Sequence, residues 1–224
     1  MKKYIYILSV IVSAIACSRQ EIQLPEDAGC GSEITLNATF EDASTRTTLV
    51  DGTKVHWIPG DEIKVFAGTS SAHFTTNITE VSAECSFIGT IRKSDKYLAF
   101  YPYKEEVSCD GSVITANLPE IQEGIEGNVK NGFLYSAGVS SADGSIRFRN
   151  LLSGICFSLE SEDVAYVELQ GNAGEVIAGS IKATVGDDSV KSEAASTGGG
   201  TVIRLNAAGG HFTTGVSYYI VCIP

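Results

Sequence analysis

Glu33-Ile-Thr-Leu-Asn-Ala-Thr-Phe40 alternates apolar and polar side chains along its whole length. Successive side chains of an extended strand point to opposite faces, so this spacing collects the apolar ones on a single face. They are Ile34, Leu36, Ala38 and Phe40. The stretch therefore predicts a β-strand that is buried on one face and open to solvent on the other.

The same kind of pattern recurs through the rest of the chain, in short apolar stretches separated by turn dipeptides such as Asp110-Gly111 and Asp143-Gly144. No stretch after this first strand has helical periodicity over three turns, and the composition is rich in β-branched and turn residues. We therefore predict an all-β fold. The further predicted strands are 62–66, 85–88, 97–101, 112–118, 133–139, 145–149, 154–159, 164–169, 175–185, 201–205 and 216–223.

Strands of this length and number indicate β-sandwiches, and the length of the chain is enough for two of them. We assign 33–145 to an N-terminal β-sandwich domain and 146–224 to a second one. The last predicted strand, Val216–Pro224, is apolar on both faces. We therefore expect the second domain to be incomplete as given, or to have its edge completed by another molecule.

The N-terminus has the three parts of an export signal. Met1-Lys2-Lys3 is positive, Tyr4–Val12 is a short apolar run, and small residues precede Cys17. We predict a signal peptide over 1–16 and lipidation of Cys17, followed by a polar tether that reaches residue 32. The alternative is ordinary cleavage, with Cys17 incidental. No later stretch has the roughly 20 apolar residues of a spanning helix, so the lipid would be the membrane anchor.

The charge excludes one class of partner. The formal net charge is −11, and loss of Lys2 and Lys3 with the signal peptide would take it to −13. An acidic surface repels phosphate backbones, and the sequence contains no basic stripe interleaved with aromatic residues. Nucleic acid is therefore not an expected partner.

Motifs that carry enzymatic chemistry are not present in the sequence. It contains no nucleophile elbow, no His-Glu-x-x-His and no phosphate loop. His56, His73 and His211 are scattered, and we interpret them as surface residues of strands. Asp187-Asp188 is an adjacent pair, whose side chains point apart in a strand. We predict no catalytic residue, no cofactor and no metal site.

The cysteines beyond Cys17 are odd in number and irregular in spacing, with no Cys-x-x-Cys, so zinc is disfavoured and no disulfide pairing is predicted. Cys156 and Cys222 fall inside apolar strands, where a buried free thiol is the expected state.

Several motifs, in this order and spacing, together resemble the fimbrillin-like lipoproteins of Bacteroides and its relatives, which are subunits of type V pili. The resemblance runs from about residue 34 to residue 224. The motifs are Thr45-Arg46-Thr47, Val55-His-Trp57, Gly60-Asp61-Glu-Ile-Lys-Val-Phe66, Tyr97-Leu-Ala-Phe-Tyr-Pro-Tyr103, Leu118-Pro119-x-x-Gln122, Phe148-Arg-Asn150, Ile155-Cys-Phe-Ser-Leu159 and Val167-Glu-Leu-x-Gly-Asn-x-Gly-Glu175 with Ala178-Gly179.

The resemblance implies two transthyretin-like β-sandwich domains in tandem, export as a lipoprotein and assembly outside the outer membrane. In polymerising members of the family a protease cuts after an arginine and removes the first strand, and a neighbouring subunit's strand fills the groove. Arg46 stands at the position of that arginine, after the strand that ends at Phe40. The alternative is that Arg46 is a solvated charge in a loop rich in Ser and Thr. Members usually continue beyond the position of Pro224, which favours an accessory, anchor or truncated subunit.

Three functions compete at this point. A pilus subunit or adhesin would bind other pilus subunits by strand exchange, and host or bacterial surface glycans or proteins. A lipid-anchored glycan-binding module would need an exposed aromatic platform, for which Trp57, Phe66 and the aromatics of Tyr97–Tyr103 are candidates, although their alternating positions favour the core. An enzyme would need converging titratable residues, and the sequence offers none.

Overall fold

The computed structural model describes residues 31–41, 56–187, 189–195 and 198–224. Within these residues the chain forms β-strands and no helix, which confirms the all-β prediction. The described residues accordingly contain no helix that is long and apolar enough to cross a membrane. The strands are β1 Ser32–Phe40, β2 Glu62–Ala67, β3 Ser70–Thr76, β4 Glu84–Ile91, β5 Leu98–Tyr101, β6 Ser108–Asp110, β7 Val113–Leu118, β8 Ile121–Ile125, β9 Asn128–Val129, β10 Ser136–Val139, β11 Ser145–Asn150, β12 Ser153–Ser158, β13 Tyr166–Gln170, β14 Gly179–Val185, β15 Val190–Ala194, β16 Val202–Ala207 and β17 Ser217–Cys222.

Seven strands close a barrel in the order β1-β11-β10-β5-β2-β3-β4. Strand β1 carries the alternation that the sequence predicts. Leu36 and Ala38 are each 1% exposed, and Ile34 and Phe40 pack half-buried against the same core, whereas Thr35 on the other face is exposed. The predicted division of β1 into a buried and an open face is therefore confirmed.

The remaining strands form three further sheets, ordered β13-β16-β8-β9, β15-β14-β7-β6 and β12-β17. Strand β17 is buried on both faces, as its apolar sequence predicts. Tyr219 and Val221 pack into one hydrophobic core, while Tyr218 and Ile220 pack into another. Strand β17 therefore separates two cores that are packed from opposite sides of the same backbone.

Strands from both sides of the predicted domain boundary share sheets. Strand β7 pairs with β14, and β8 pairs in parallel with β16. One core cluster likewise combines Phe100 from before residue 145 with Ile181 and Val221 from after it. The division into domains 33–145 and 146–224 stays a prediction, while the sheets cross that position.

The prediction for Cys156 is wrong, and that for Cys222 is confirmed. Cys222 is buried, but Cys156 is exposed on β12. In its sheet β12 pairs with β17 alone, and nearly all of its side chains are exposed, Ile155 at 41% among them. An apolar sequence in a two-stranded edge position therefore stays in contact with solvent.

Candidate functional site

Strand β1 is held on both edges, so the space it occupies is a groove between two other strands. Its antiparallel ladder with β4 runs from the pair Ser32–Ile91 to the pair Thr39–Glu84. Its other edge runs parallel to β11, and the Glu41 N–H donates to the Phe148 carbonyl at 3.0 Å just beyond the strand. Backbone groups that pair on both sides of β1 would lose their partners if β1 were withdrawn.

The indole of Trp57 forms the floor of this groove below the C-terminal half of β1. Trp57 is fully buried, and its ring centroid lies 4.2 Å from that of Phe40 in a stacked arrangement. The indole N–H donates to the carbonyl oxygen of Ala38 at 3.2 Å. Reciprocal backbone hydrogen bonds of 2.7 and 3.0 Å to Ser82 hold Trp57 in place. Trp57 thus contacts β1 in two ways, by stacking of its ring on Phe40 and by a hydrogen bond from its indole N–H to the Ala38 carbonyl.

An ion pair closes the C-terminal end of the groove. Arg149 Nε donates to Glu41 Oε2 at 2.6 Å, and Arg149 Nη2 donates to Glu41 Oε1 at 3.0 Å. The Arg149 side chain is 15% exposed and that of Glu41 is 43% exposed. These hydrogen bonds from Arg149 hold the pKa of the Glu41 carboxyl below its usual value. We call this pair the Glu41–Arg149 clamp.

A buried carboxylate lies next to the same aromatic core. Asp61 accepts hydrogen bonds from the Tyr101 hydroxyl at 2.9 Å and from the Ile58 N–H at 2.8 Å. Burial raises the pKa of Asp61, and burial together with the Asp61 charge raises the pKa of Tyr101. Burial also raises the pKa of Cys85 to about 12, so that this thiol stays protonated at neutral pH. Tyr101 and Cys85 belong to one buried core, and the charge of Asp61 raises the pKa of both.

Raising the pH above the ordinary carboxyl value of 3.8 is expected to reduce the stability of the wild-type protein relative to an Asp61→Asn variant. A raised folded-state pKa adds stability at pH values below the unfolded pKa, and this stability is lost as the pH rises through the folded pKa. Urea unfolding of both proteins across this range measures the difference. Asp95→Asn, at an exposed position, is the control for loss of a carboxylate. If the stability of the wild type relative to the Asp61→Asn variant stays constant as the pH rises, or increases, the assignment is contradicted.

The predicted lipidation and processing sites, Cys17 and Arg46, lie outside the described residues. What the structure does place is the two ends of the segment that contains Arg46. Phe40 precedes this segment and Trp57 follows it, and the two rings stack. The segment between them is the only covalent link from β1 to the rest of the barrel.

The aromatic side chains considered for a glycan platform lie mostly inside the protein. Trp57, Phe66, Tyr97 and Tyr101 are all at most 8% exposed. Tyr103 is half-buried and lies against the ring of His73, with centroids 4.1 Å apart. His73 itself is exposed on β3, which confirms its interpretation as a surface residue of a strand. A sugar could not stack on the four buried rings.

A cleft of about 480 Å³ lies beside the outer face of β11. Its walls include Thr39 of β1, the hydroxyls of Ser141 and Ser145, and the guanidinium of Arg147. Lys96 and Asp187 meet at 2.6 Å on its rim. Among the described residues, no three His, Cys, Asp or Glu side chains come together in a way that could hold a metal ion.

Comparison of the chain with protein-family models, with curated proteins and with solved structures gives no match. The sequence predicted β1 and its buried face, but not the Glu41–Arg149 clamp, because its two members are more than a hundred residues apart.

Proposed function

We propose that this protein is a structural or adhesive subunit of a surface pilus. It accepts a strand from a neighbouring subunit after cleavage near Arg46. One observation supports the proposal above all. Strand β1 completes the barrel from a position between β4 and β11, yet its only covalent link to the other barrel strands is the segment that contains Arg46. A cut there leaves β1 held by noncovalent contacts alone.

The energetics of an empty groove favour an incoming strand. Without β1, backbone groups of β4 and β11 would lack partners, and the apolar floor that covers Leu36 and Ala38 would meet water. Each buried polar group left unpaired costs about 1–3 kcal/mol. A strand with alternating apolar side chains restores both kinds of contact, as in other cases where a peptide adds to a sheet. The groove therefore binds such a strand tightly.

The N-terminal sequence and the resemblance to fimbrillin-like lipoproteins support the same proposal. In it, lipid on Cys17 attaches the protein to the outer membrane, and the subunit works at the cell surface or in a fimbrium. Its partners are other pilus subunits, the membrane lipid, and surface glycans or proteins. No enzymatic role is part of the proposal, since the burial of Cys85 and Tyr101 works against their use as nucleophiles.

Cleavage at Arg46 is expected to leave β1 bound and to make it exchangeable. The test uses protein that starts after Cys17 and carries Lys54→Gln, which leaves Arg46 as the one tryptic site within 42–55. After limited trypsin, a labelled Ser32–Asp42 peptide should replace β1 and elute with the protein. Trp57, the single tryptophan of the chain, stacks on β1 and reports the exchange by its fluorescence.

The matched control carries Arg46→Gln as well as Lys54→Gln, and it should stay intact and take up no peptide. Intact mass identifies the cut. If Arg46 resists trypsin in the folded protein, or if the cut protein takes up no more peptide than the control, the strand-exchange function fails.

The alternative function is a lipid-anchored glycan-binding module. The cleft beside β11 is the observation in its favour, because hydroxyls and a guanidinium suit a polar sugar. Binding of surface polysaccharides by the uncut protein separates it from the pilus proposal.

A further inference from the structure

The present occupant of the groove displays the side chains that the groove holds. Each apolar residue of β1 meets a different environment, and the C-terminal half is the most specific. Ala38 is 1% exposed, and its carbonyl receives the Trp57 indole N–H. The backbone of β1 thus lies directly against the indole at this point, which favours a small side chain at position 38.

Position 40 favours a flat ring. Phe40 stacks on Trp57 at an interplanar angle of 27°, and the rings of Tyr101 and Phe148 lie 6.3 and 6.0 Å away. Aromatic pairs in such arrangements add about 0.5–1.5 kcal/mol beyond the area they bury. An aliphatic residue at position 40 would fill the space without this contribution.

Position 41 favours a carboxylate. The planar guanidinium of Arg149 donates to both carboxylate oxygens of Glu41. An amide in place of the carboxylate, or an ammonium in place of the guanidinium, cannot reproduce this geometry. Arg147 lies on the same outer face of β11 and adds its own positive charge near Glu41. This end of the groove is thus locally positive in a protein whose formal net charge is −11.

We propose that the groove selects its partner strand by a small-x-aromatic-acid pattern, in which the acid is read by Arg149. The occupant is a strand of a neighbouring subunit, parallel to β11, with alternating apolar side chains that end in this pattern. The inference rests on the proposed function and names the partner of the same site. Among the 224 residues of the sequence, Phe40-Glu41 is the only aromatic residue followed directly by an acid. No other segment of the 224 residues therefore contains the small-x-aromatic-acid pattern.

The clamp also fixes the register of the partner. A shift of one residue along the groove would turn every apolar side chain to the outer face. With the carboxylate bound at Arg149, only one alignment places the ring on Trp57 and the small residue over its indole N–H. An acid at this position thus excludes the shifted alignments, and apolar strands without the acid bind in the right register less strongly.

The test is a competition among peptides for the groove of the protein cut at Arg46. The parent peptide is Ser32–Asp42, and the variants carry Glu41→Gln or Glu41→Lys. At low salt we expect the first to bind about fivefold more weakly than the parent, and the second about thirtyfold more weakly. Glu33→Gln removes the same charge from an exposed position at the other end of the strand and should bind like the parent.

A reversal of charge on the protein completes the test. In an Arg149→Glu protein the Glu41→Lys peptide should bind more tightly than the parent peptide, and high salt should reduce both preferences. If the parent and the Glu41 variants bind the cut wild-type protein equally, the selection by Arg149 is wrong while strand exchange stands. If no peptide enters, the parent included, strand exchange itself fails and the selection with it.

Discussion

Replacing Leu36 by aspartate is expected to leave the barrel unfolded at neutral pH. Leu36 is 1% exposed in the middle of β1 and lies opposite Phe87 of β4. The variant loses a buried leucine side chain, which costs about 2–5 kcal/mol. It also places a carboxylate without a partner in an apolar core, which costs several kcal/mol more. The sum is comparable with the roughly 5–15 kcal/mol that stabilises a typical domain.

The matched control is Thr35→Asp, one residue earlier on the same strand. Thr35 lies on the exposed face, so the same carboxylate meets water there and the fold should persist. Far-UV circular dichroism and the fluorescence of Trp57 distinguish the two variants. Equal stability of the two would contradict the placement of β1, because the barrel assigns its two faces opposite environments.

Regular alternation explains which parts of the fold could be predicted. Strands such as β1 and β11 were predicted because their apolar residues fall on one face and the face is buried. Strand β8 was missed for the opposite reason. Its buried residues are Gln122 and Gly124, while Ile121 is 64% exposed. The hydrophobic pattern therefore points away from the core.

Gln122 shows what replaces hydrophobicity in that strand. Its side-chain amide donates to the Val221 carbonyl at 2.7 Å and accepts from the Val221 N–H at 3.1 Å. The side chain thus serves as a hydrogen-bond partner for the backbone of β17.

Strand β3 was missed because Phe74 is its one fully buried residue among mostly polar neighbours. In both strands the tertiary contacts, and not the local pattern, determine the conformation.

The candidate site was predictable only in part. Local sequence is enough to place Arg46 after an amphipathic strand, and to favour the core for Trp57. The parallel pairing of β1 with β11 joins segments about a hundred residues apart, and no local signal specifies it. The Glu41–Arg149 clamp depends on that pairing. Sequence could therefore predict strand β1, but not the groove that holds it.

If the segment that contains Arg46 is cut, the stack of Phe40 on Trp57 is expected to affect whether β1 stays in the groove. It brings together the residues on either side of the segment that contains Arg46, with ring centroids 4.2 Å apart. A cut within the segment therefore leaves both of its ends attached to the barrel. Trp57 would act as the link that keeps β1 in place until a competing strand arrives.

Replacing Trp57 by alanine is accordingly expected to destabilise the protein by about 3–5 kcal/mol, the usual cost of removing a buried tryptophan. Phenylalanine at the same position keeps a ring for Phe40 and removes the hydrogen bond to Ala38, which costs about 1–2 kcal/mol. Urea unfolding followed by circular dichroism measures both, because neither variant retains a tryptophan.

The same two variants, cut at Arg46, connect stability with release of the strand. If contacts with Trp57 retain β1, the alanine variant should release a labelled β1 about a hundredfold faster than the wild type, and the phenylalanine variant should lie between them. Release at one common rate in all three proteins would show that the ladders with β4 and β11 retain β1 without the indole. The floor of the groove would then serve the folding of the barrel and not the timing of strand exchange.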